Sequence, residues 1–98
     1  MLVADVDSEA RGFVQLYPLW SSWYCNRIWF LSDLYVAETA RRLGIGTSLV
    51  NATKEFAATT TATSVLVELP RSEPHLAAFY ARLGFARDDV FELARYRL

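Results

Sequence analysis

The first third of the chain has the apolar pattern of three β-strands. The predicted strands are Leu2–Val6, residues 12–17 and residues 28–36. A short polar segment, residues 7–10, separates the first two strands and is typical of a hairpin turn. Pro18 should end or kink the second strand because proline donates no hydrogen bond to the neighbouring strand. Residues 28–36 are aromatic, β-branched and almost continuously apolar. That run predicts a central strand covered on both faces.

The rest of the chain alternates between helical and strand patterns. Residues 47–58 have apolar positions three and four apart, which indicates an amphipathic helix. The positions on its apolar face are Leu49, Val50, Thr53, Phe56 and Ala57. Residues 64–69 form a predicted strand. A second helix is predicted after it, with Ser72 as its N-cap and Gly84 as its C-cap glycine. The helix between these caps carries an apolar stripe, and residues 90–98 alternate like a final strand. The order β-β-β-α-β-α-β predicts a mixed α/β (α+β) layer with helices packed on a sheet.

Composition narrows the possible function classes. The 98 residues fit one domain over residues 1–98, and 53% apolar content is too high for a disordered chain. A net charge of −1 argues against a nucleic-acid partner, and no apolar run is long enough to predict a membrane span. A single Cys25 predicts a protein of the reducing cytoplasm, and the lone His75 makes a metal site unexpected.

The segment between the third strand and the first predicted helix has the chemistry of an anion site. It consists of Arg41, Arg42, Leu43, Gly44, Ile45, Gly46 and Thr47. A helix N-terminus carries partial positive charge and unpaired N–H groups, and glycine lets a ligand approach the backbone closely. Phosphate or pyrophosphate suits such a site. The segment is not a Walker A loop, because no lysine follows Gly46. It is not a dinucleotide-binding loop either, because Leu49 stands where that loop needs its third glycine. The alternative is a plain glycine turn with solvated arginines.

A tyrosine on the second predicted helix is a second candidate. Tyr80 lies within Phe79-Tyr80-Ala81-Arg82-Leu83-Gly84-Phe85. A tyrosine on an apolar helix face is usually a core residue with a satisfied hydroxyl. Beside a leaving group, the same phenol is a competent proton donor.

Together these two segments resemble the GNAT superfamily of acyl-CoA-dependent N-acyltransferases. The family's cofactor motif, Gln/Arg-x-x-Gly-x-Gly/Ala, is matched by Arg41, Gly44 and Gly46. Its later motif, Phe/Leu-Tyr followed by Leu-Gly-Phe, is matched by Phe79, Tyr80, Leu83, Gly84 and Phe85. The order of the motifs and the helix–strand–helix spacing between them also agree with the family.

The resemblance implies an enzyme that transfers an acetyl group from acetyl-CoA to a primary amine by direct attack in a ternary complex. It implies that the backbone of residues 41–47 holds the CoA pyrophosphate. It also implies that the third and fourth strands diverge, so that pantetheine pairs with the backbone of Leu34 and Val36. An N–H near Leu34 would polarise the thioester carbonyl. Tyr80 would protonate the departing thiolate. The acceptor would be a small-molecule or peptide amine.

Three departures from the family pattern bear on this expectation. Phe30 stands where some members carry a glutamate base. Asp33 and Glu68 remain as the candidate strand carboxylates. Each could be a base that acts through water or a structural residue. Strand alternation points Asp33 away from the face of Leu34. Glu73 replaces the usual asparagine before the later motif, where a carboxylate could repel an anionic cofactor. The chain also starts near the family's second strand, without the first strand and helices that build the acceptor wall.

Half of the aromatic residues fall early in the chain. They are Phe13, Tyr17, Trp20, Trp23, Tyr24, Trp29 and Phe30. This density predicts either a homodimer interface or an acceptor-pocket lining. Two other functions therefore stand beside the enzyme: a CoA-binding module with weak or no catalysis, and an assembly subunit or fragment that needs a second chain.

Overall fold

The computed structural model describes residues 2–6, 9–38 and 44–98, with side chains from residue 12 onward. The elements in chain order are β1 (Leu2–Val6), β2 (Glu9–Ser21), β3 (Asn26–Val36), α1 (Ile45–Ala58), β4 (Ser64–Val67) and α2 (Pro74–Arg82). The sheet has the order β1-β2-β3-β4; β1, β2 and β3 pair antiparallel, and β4 pairs parallel to β3. The predicted mixed, mostly antiparallel sheet with helices is confirmed.

The chain forms two compact units, Met1–Glu68 and Leu69–Leu98. The first contains the sheet and α1, and the second contains α2. The interpretation of residues 1–98 as one domain stays a prediction.

Strand β2 is longer than its apolar pattern predicted. It continues through Pro18, which lies opposite Trp29 of β3. Among the described residues, β1 pairs with β2 from Glu9 to Val14, so no residue of β1 pairs with Pro18. Glu9 and Ala10, predicted as turn residues, begin β2, whereas Asp7 and Ser8 lie outside the described residues.

Helix α1 packs on one face of the sheet and makes contact with all four strands. Its predicted apolar stripe is buried apart from Phe56, which is partly exposed and stacks edge-on against Trp29 with ring centroids 5.2 Å apart. The sheet contributes Val14, Leu16 and Leu31 to the buried core. Burial of apolar surface stabilises by about 25 cal/mol per Å², so this contact stabilises the first unit.

Strand β3 carries a β-bulge near its middle. Leu16 lies opposite Leu31 and Gln15 lies opposite Asp33, so Ser32 is an extra residue on β3. The Ser32 hydroxyl lies 3.3 Å from the main-chain oxygen of Gln15 and 3.0 Å from Oδ2 of Asp33. A bulge bends its strand and turns the following side chains to the other face.

The second unit differs from its prediction in two places. Helix α2 begins at Pro74 with Glu73 as N-cap, one residue later than the Ser72 cap predicts, because the fixed φ of proline suits the first helical position. The prediction of a final strand is wrong: residues 83–98, all of them described, contain no strand. Alternation alone does not make a strand without a pairing partner. In this segment the Asp88 carboxylate accepts hydrogen bonds from the backbone N–H groups of Val90 and Phe91.

Candidate functional site

Strands β3 and β4 separate at the bulge. Their last pair is Leu31 with Val67, whereas β3 continues to Val36. The Tyr35 carbonyl oxygen points towards β2, since it lies 2.6 Å from the position that a Cβ on Gly12 would take. Successive peptide groups of a strand point in opposite directions. The peptide group of Leu34 therefore points to the side on which β4 has ended. Within the described residues, β4 does not pair with this part of β3, and an extended ligand could pair there.

The N-terminus of α1 lies in the same unit. Gly44 is its N-cap, in the left-handed conformation with φ +74°, and it makes no side-chain cap hydrogen bond. The first helical bond runs from the Ser48 N–H to the Gly44 carbonyl at 3.0 Å. The N–H groups of Ile45, Gly46 and Thr47 precede that bond and lie outside the helical ladder. The first turn contains no acidic residue, so nothing on α1 itself competes with an external anion.

The predicted roles of Arg41, Arg42 and Leu43 fall outside the described residues. A methyl group placed on the Cα of Gly44 would meet no atom of the described residues within 4 Å, chain neighbours aside, whereas the positive φ of Gly44 favours glycine. A β-carbon there would extend into open space beside the uncapped amides.

Gly12 lies where the end of β3 and the N-terminus of α1 come together, and it was not identified from the sequence. A Cβ on Gly12 would lie 2.6 Å from the Tyr35 oxygen and 3.3 Å from both Ile45 Cγ2 and Leu49 Cδ1. The end of β3 and the first turns of α1 therefore converge on a position that admits no side chain. The available signal was an isolated glycine inside a strand pattern, which often marks a close backbone approach.

The candidate base lies on the sheet face opposite α1. Gly12, Val14 and Leu16 of β2 face α1, so Gln15 between them, and Asp33 opposite Gln15, face the other way. Leu34 is opposite Val14 and shares the α1 face, as alternation predicted. Asp33 is exposed. Glu68, the alternative carboxylate, is also exposed and follows directly after β4.

Tyr80 lies in the second unit, on the last turn of α2. Only 6% of its surface is exposed. Its ring packs edge-on between Phe79, at 5.1 Å between centroids, and Phe85, at 5.3 Å. Burial raises the pKa of the phenol above its ordinary value. The hydroxyl therefore stays protonated at neutral pH.

The Leu-Gly-Phe sequence after Tyr80 ends helix α2 and places Phe85 against the Tyr80 ring. The Phe85 N–H donates to the Tyr80 carbonyl at 3.0 Å and the Gly84 N–H donates to the Ala81 carbonyl at 3.1 Å. Gly84 has φ +94°, and the two bonds form a Schellman motif. The reversal brings Phe85 back against the Tyr80 ring. The predicted C-cap role of Gly84 thus also fixes the environment of the tyrosine.

The aromatic-rich early segment is largely exposed. Trp20 and Trp23, at and just beyond the end of β2, have 68% and 72% of their surface exposed. The predicted homodimer interface or acceptor lining at this segment stays a prediction. Among the described residues, no group of three or more His, Cys, Asp or Glu side chains could hold a metal ion. Neither of the described helices is long and apolar enough to cross a membrane.

Comparison with known proteins gives the family. A model described as "Acetyltransferase (GNAT) domain" matches residues 1–87. The Bacillus subtilis (strain 168) protein named "Uncharacterized N-acetyltransferase YhfO" is 33% identical over 91 residues, which are 93% of this chain and 61% of that protein. The crystal structure of a probable acetyltransferase is 32% identical with a TM-score of 0.87, covering 98% of this chain and 64% of the other.

A more distant structure shares the fold. It is an aminoglycoside acetyltransferase, meta-AAC0020, from an uncultured soil metagenomic sample, solved in complex with trehalose. It is 23% identical with a TM-score of 0.81, covering 98% of this chain and 63% of the other. The chain thus spans less than two thirds of the length of these relatives. The family model, the sequence relative and the fold agree, and the chain belongs to the GNAT acetyltransferase family.

Proposed function

We propose that the protein is an N-acetyltransferase that moves an acetyl group from acetyl-CoA to a primary amine. The observation that carries the proposal is the separation of β3 from β4 in the same unit as the uncapped N-terminus of α1. An extended strand edge and a helix N-terminus are the two features that a long ligand with an amide-bearing arm and a pyrophosphate requires.

Two groups of residues would hold CoA, one at each end of the cofactor. The N–H groups of Ile45, Gly46 and Thr47 would bind the pyrophosphate, with Arg41 and Arg42 adding charge and Leu43 a further backbone N–H. The peptide groups of Leu34 and Val36 would pair with the pantetheine arm. Glu73, the N-cap of α2, lies in the second unit and is exposed to solvent, which weakens the effect of its charge.

The proposed reaction assigns a role to three groups of the chain. Acetyl-CoA supplies the acetyl group as a thioester. The amine nitrogen forms the new C–N bond as the C–S bond breaks. Asp33 accepts the proton that the amine loses, directly or through a water molecule. The Leu34 N–H donates to the carbonyl oxygen as negative charge develops on it. Tyr80 gives its phenolic proton to the leaving thiolate, and the phenol is then reprotonated from solvent.

The cofactor half is tested by calorimetric titration with CoA. We expect Gly44→Ala to weaken binding at least about tenfold, because the new methyl group projects beside the amides that bind pyrophosphate. Gly84→Ala is the matched control: it too adds a methyl at a positive φ with open space around it, and it should keep the CoA affinity. Equal CoA affinity of Gly44→Ala and the unchanged protein would contradict the pyrophosphate assignment.

The transfer half is tested by thiol release from acetyl-CoA with a panel of primary amines. Release that depends on the amine supports the enzyme. CoA binding without release at any amine would favour the CoA-binding module instead, and absence of CoA binding would favour the assembly subunit.

A further inference from the structure

Three cross-strand pairs form a row on the sheet face opposite α1. Phe13 lies opposite Tyr35, Gln15 opposite Asp33, and Tyr17 opposite Phe30. Pairs directly opposite on one face are in side-chain contact distance, and successive pairs are within reach of aromatic side chains. A carboxylate and an amide therefore lie between two aromatic pairs. These six residues form the Asp33 row.

The Asp33 row is partly open to solvent, since three of its residues are exposed and the other three, Phe13, Gln15 and Phe30, are half-buried. Tyr35 and Tyr17 are each about half exposed, at 50% and 51%, and Asp33 is exposed as well. The Phe13 and Tyr35 rings are 5.6 Å apart between centroids and tilted by 32°, so they form a continuous aromatic wall on one side of the carboxylate.

The bulge at Ser32 is what places the carboxylate in this row. Leu31 faces α1, so plain alternation would turn Asp33 to the same side. The extra residue turns Asp33 to the open face, and the Ser32 hydroxyl, 3.0 Å from Oδ2, orients the carboxylate. Among the side chains that the structure describes, this hydroxyl is the only hydrogen-bond partner of Asp33, and none of them is a cation paired with it.

Both components of the row attract the same kind of ligand. A carboxylate attracts positive charge, and aromatic rings attract a cation to their faces through the ring quadrupole. Gln15 adds an amide that accepts or donates a hydrogen bond. An anionic ligand would meet repulsion from Asp33.

We propose that the Asp33 row is an organic-cation site that binds the acceptor as an ammonium ion between Asp33 and the flanking aromatic rings. This inference rests on the proposed function and names its acceptor class: cationic amines, with disfavour for amines that carry a carboxylate close by. Asp33 immediately precedes Leu34, whose peptide group points to the edge left by β4. The bound nitrogen therefore lies within about one residue of the proposed thioester position. The ammonium ion gives up one proton to solvent water before its lone pair attacks, and the second proton passes to Asp33 as the C–N bond forms.

The test uses a cation that cannot be acetylated, so it does not depend on turnover. Tetramethylammonium is titrated into the 15N-labelled chain, with tert-butanol as the uncharged analogue of similar shape. We expect tetramethylammonium, and not tert-butanol, to shift the amide resonances of residues 30–36 and 13–17. Equal shifts with both compounds, or shifts elsewhere only, would overturn the proposal.

Two variants and a control sharpen the result. Asp33→Asn should weaken tetramethylammonium binding about twofold to fivefold, the size of an ion-pair contribution at an exposed site. Tyr35→Leu should weaken it about threefold, the size of a cation–π contact at an exposed site. Glu55→Gln, which removes an exposed carboxylate from α1 on the opposite side of the sheet, should change nothing. Unchanged affinity of Asp33→Asn refutes the site, and the comparison with tert-butanol decides the matter if that variant does not fold.

The outcome is separable from that of the proposed function. Selective binding of tetramethylammonium with no CoA binding or thiol release would leave the cation site standing and refute the enzyme. Thiol release with an amine that tetramethylammonium does not inhibit competitively would support the enzyme and refute the cation site.

Discussion

Replacing Gly12 by alanine should destabilise the protein by steric overlap alone. The new Cβ would lie 2.6 Å from the Tyr35 carbonyl oxygen, about 0.8 Å short of the 3.4 Å at which ordinary contact begins. The oxygen belongs to the backbone and cannot rotate away as a flexible side chain can. Ile45 and Leu49 of α1 each lie 3.3 Å from the same position, so the methyl group is confined from the helix side as well.

The magnitude follows from the cost of overpacking a core, which is about 1–3 kcal/mol. A loss of about 2 kcal/mol in the free energy of unfolding corresponds to a melting temperature about 8–16 °C lower for a domain of this size. CoA affinity should fall with it, because the displaced segment of β3 carries the peptide groups assigned to pantetheine.

The assay combines urea unfolding, followed by circular dichroism, with CoA titration. Gly84→Ala serves as control: its methyl meets nothing within 4 Å, so its loss of about 1–2 kcal/mol comes only from the positive φ, and its CoA affinity should stay unchanged. If Gly12→Ala unfolds within about 0.5 kcal/mol of the unchanged protein, the close approach of β2, β3 and α1 is not as the structure shows, and the reasoning fails.

Three further predictions concern the tyrosine and the aromatic hairpin. Tyr80→Phe should lower the turnover of thiol release at least about tenfold with little change in CoA affinity. The control Tyr96→Phe changes a residue that is 88% exposed and should alter neither quantity. Equal turnover of the two variants would contradict the role of Tyr80 as proton donor. Because burial raises the pKa of Tyr80, its phenol in the unfolded chain loses the proton first, so the free energy of unfolding should be insensitive to this group below about pH 10 and fall above it. Urea unfolding at pH 9 and pH 11 checks this: the fall between the two pH values should be smaller in Tyr80→Phe, and an equal fall in both proteins would contradict it. Sedimentation equilibrium should show a dimer that Trp23→Ser weakens; a monomer throughout the micromolar range would refute the predicted interface.

The sequence predicted the elements whose pattern is local. The bounds of β1 agree, the end of α1 at Ala58 agrees, and its start moves to Ile45 because Gly44 takes the N-cap position. Of the three motif glycines, Gly44 and Gly84 have a positive φ, whereas Gly46 lies in the first turn of α1. Periodicity and capping act over a few residues, so they can be read from neighbouring positions alone.

Pairing between distant residues could not be predicted in the same way. Residues 90–98 alternate like a strand and form none, since a strand exists only with a partner whose position the alternation does not contain. Pro18 lies within β2 opposite Trp29 of β3, and the residues around a proline do not indicate which neighbouring strand would need its missing N–H.

The amino-acid sequence by itself determined the family, through two motifs in the right order, and the chemical types present: uncapped glycine amides, a tyrosine, and a strand carboxylate. Only the tertiary structure decided how they are arranged. It separated β3 from β4 beyond Leu31, brought β3 against α1 at Gly12, and turned Asp33 to the open face through the bulge at Ser32. The reason is that strand register is a property of pairs: one extra residue on β3 reverses the facing of every side chain after it, and no composition or periodicity of that strand alone reveals it.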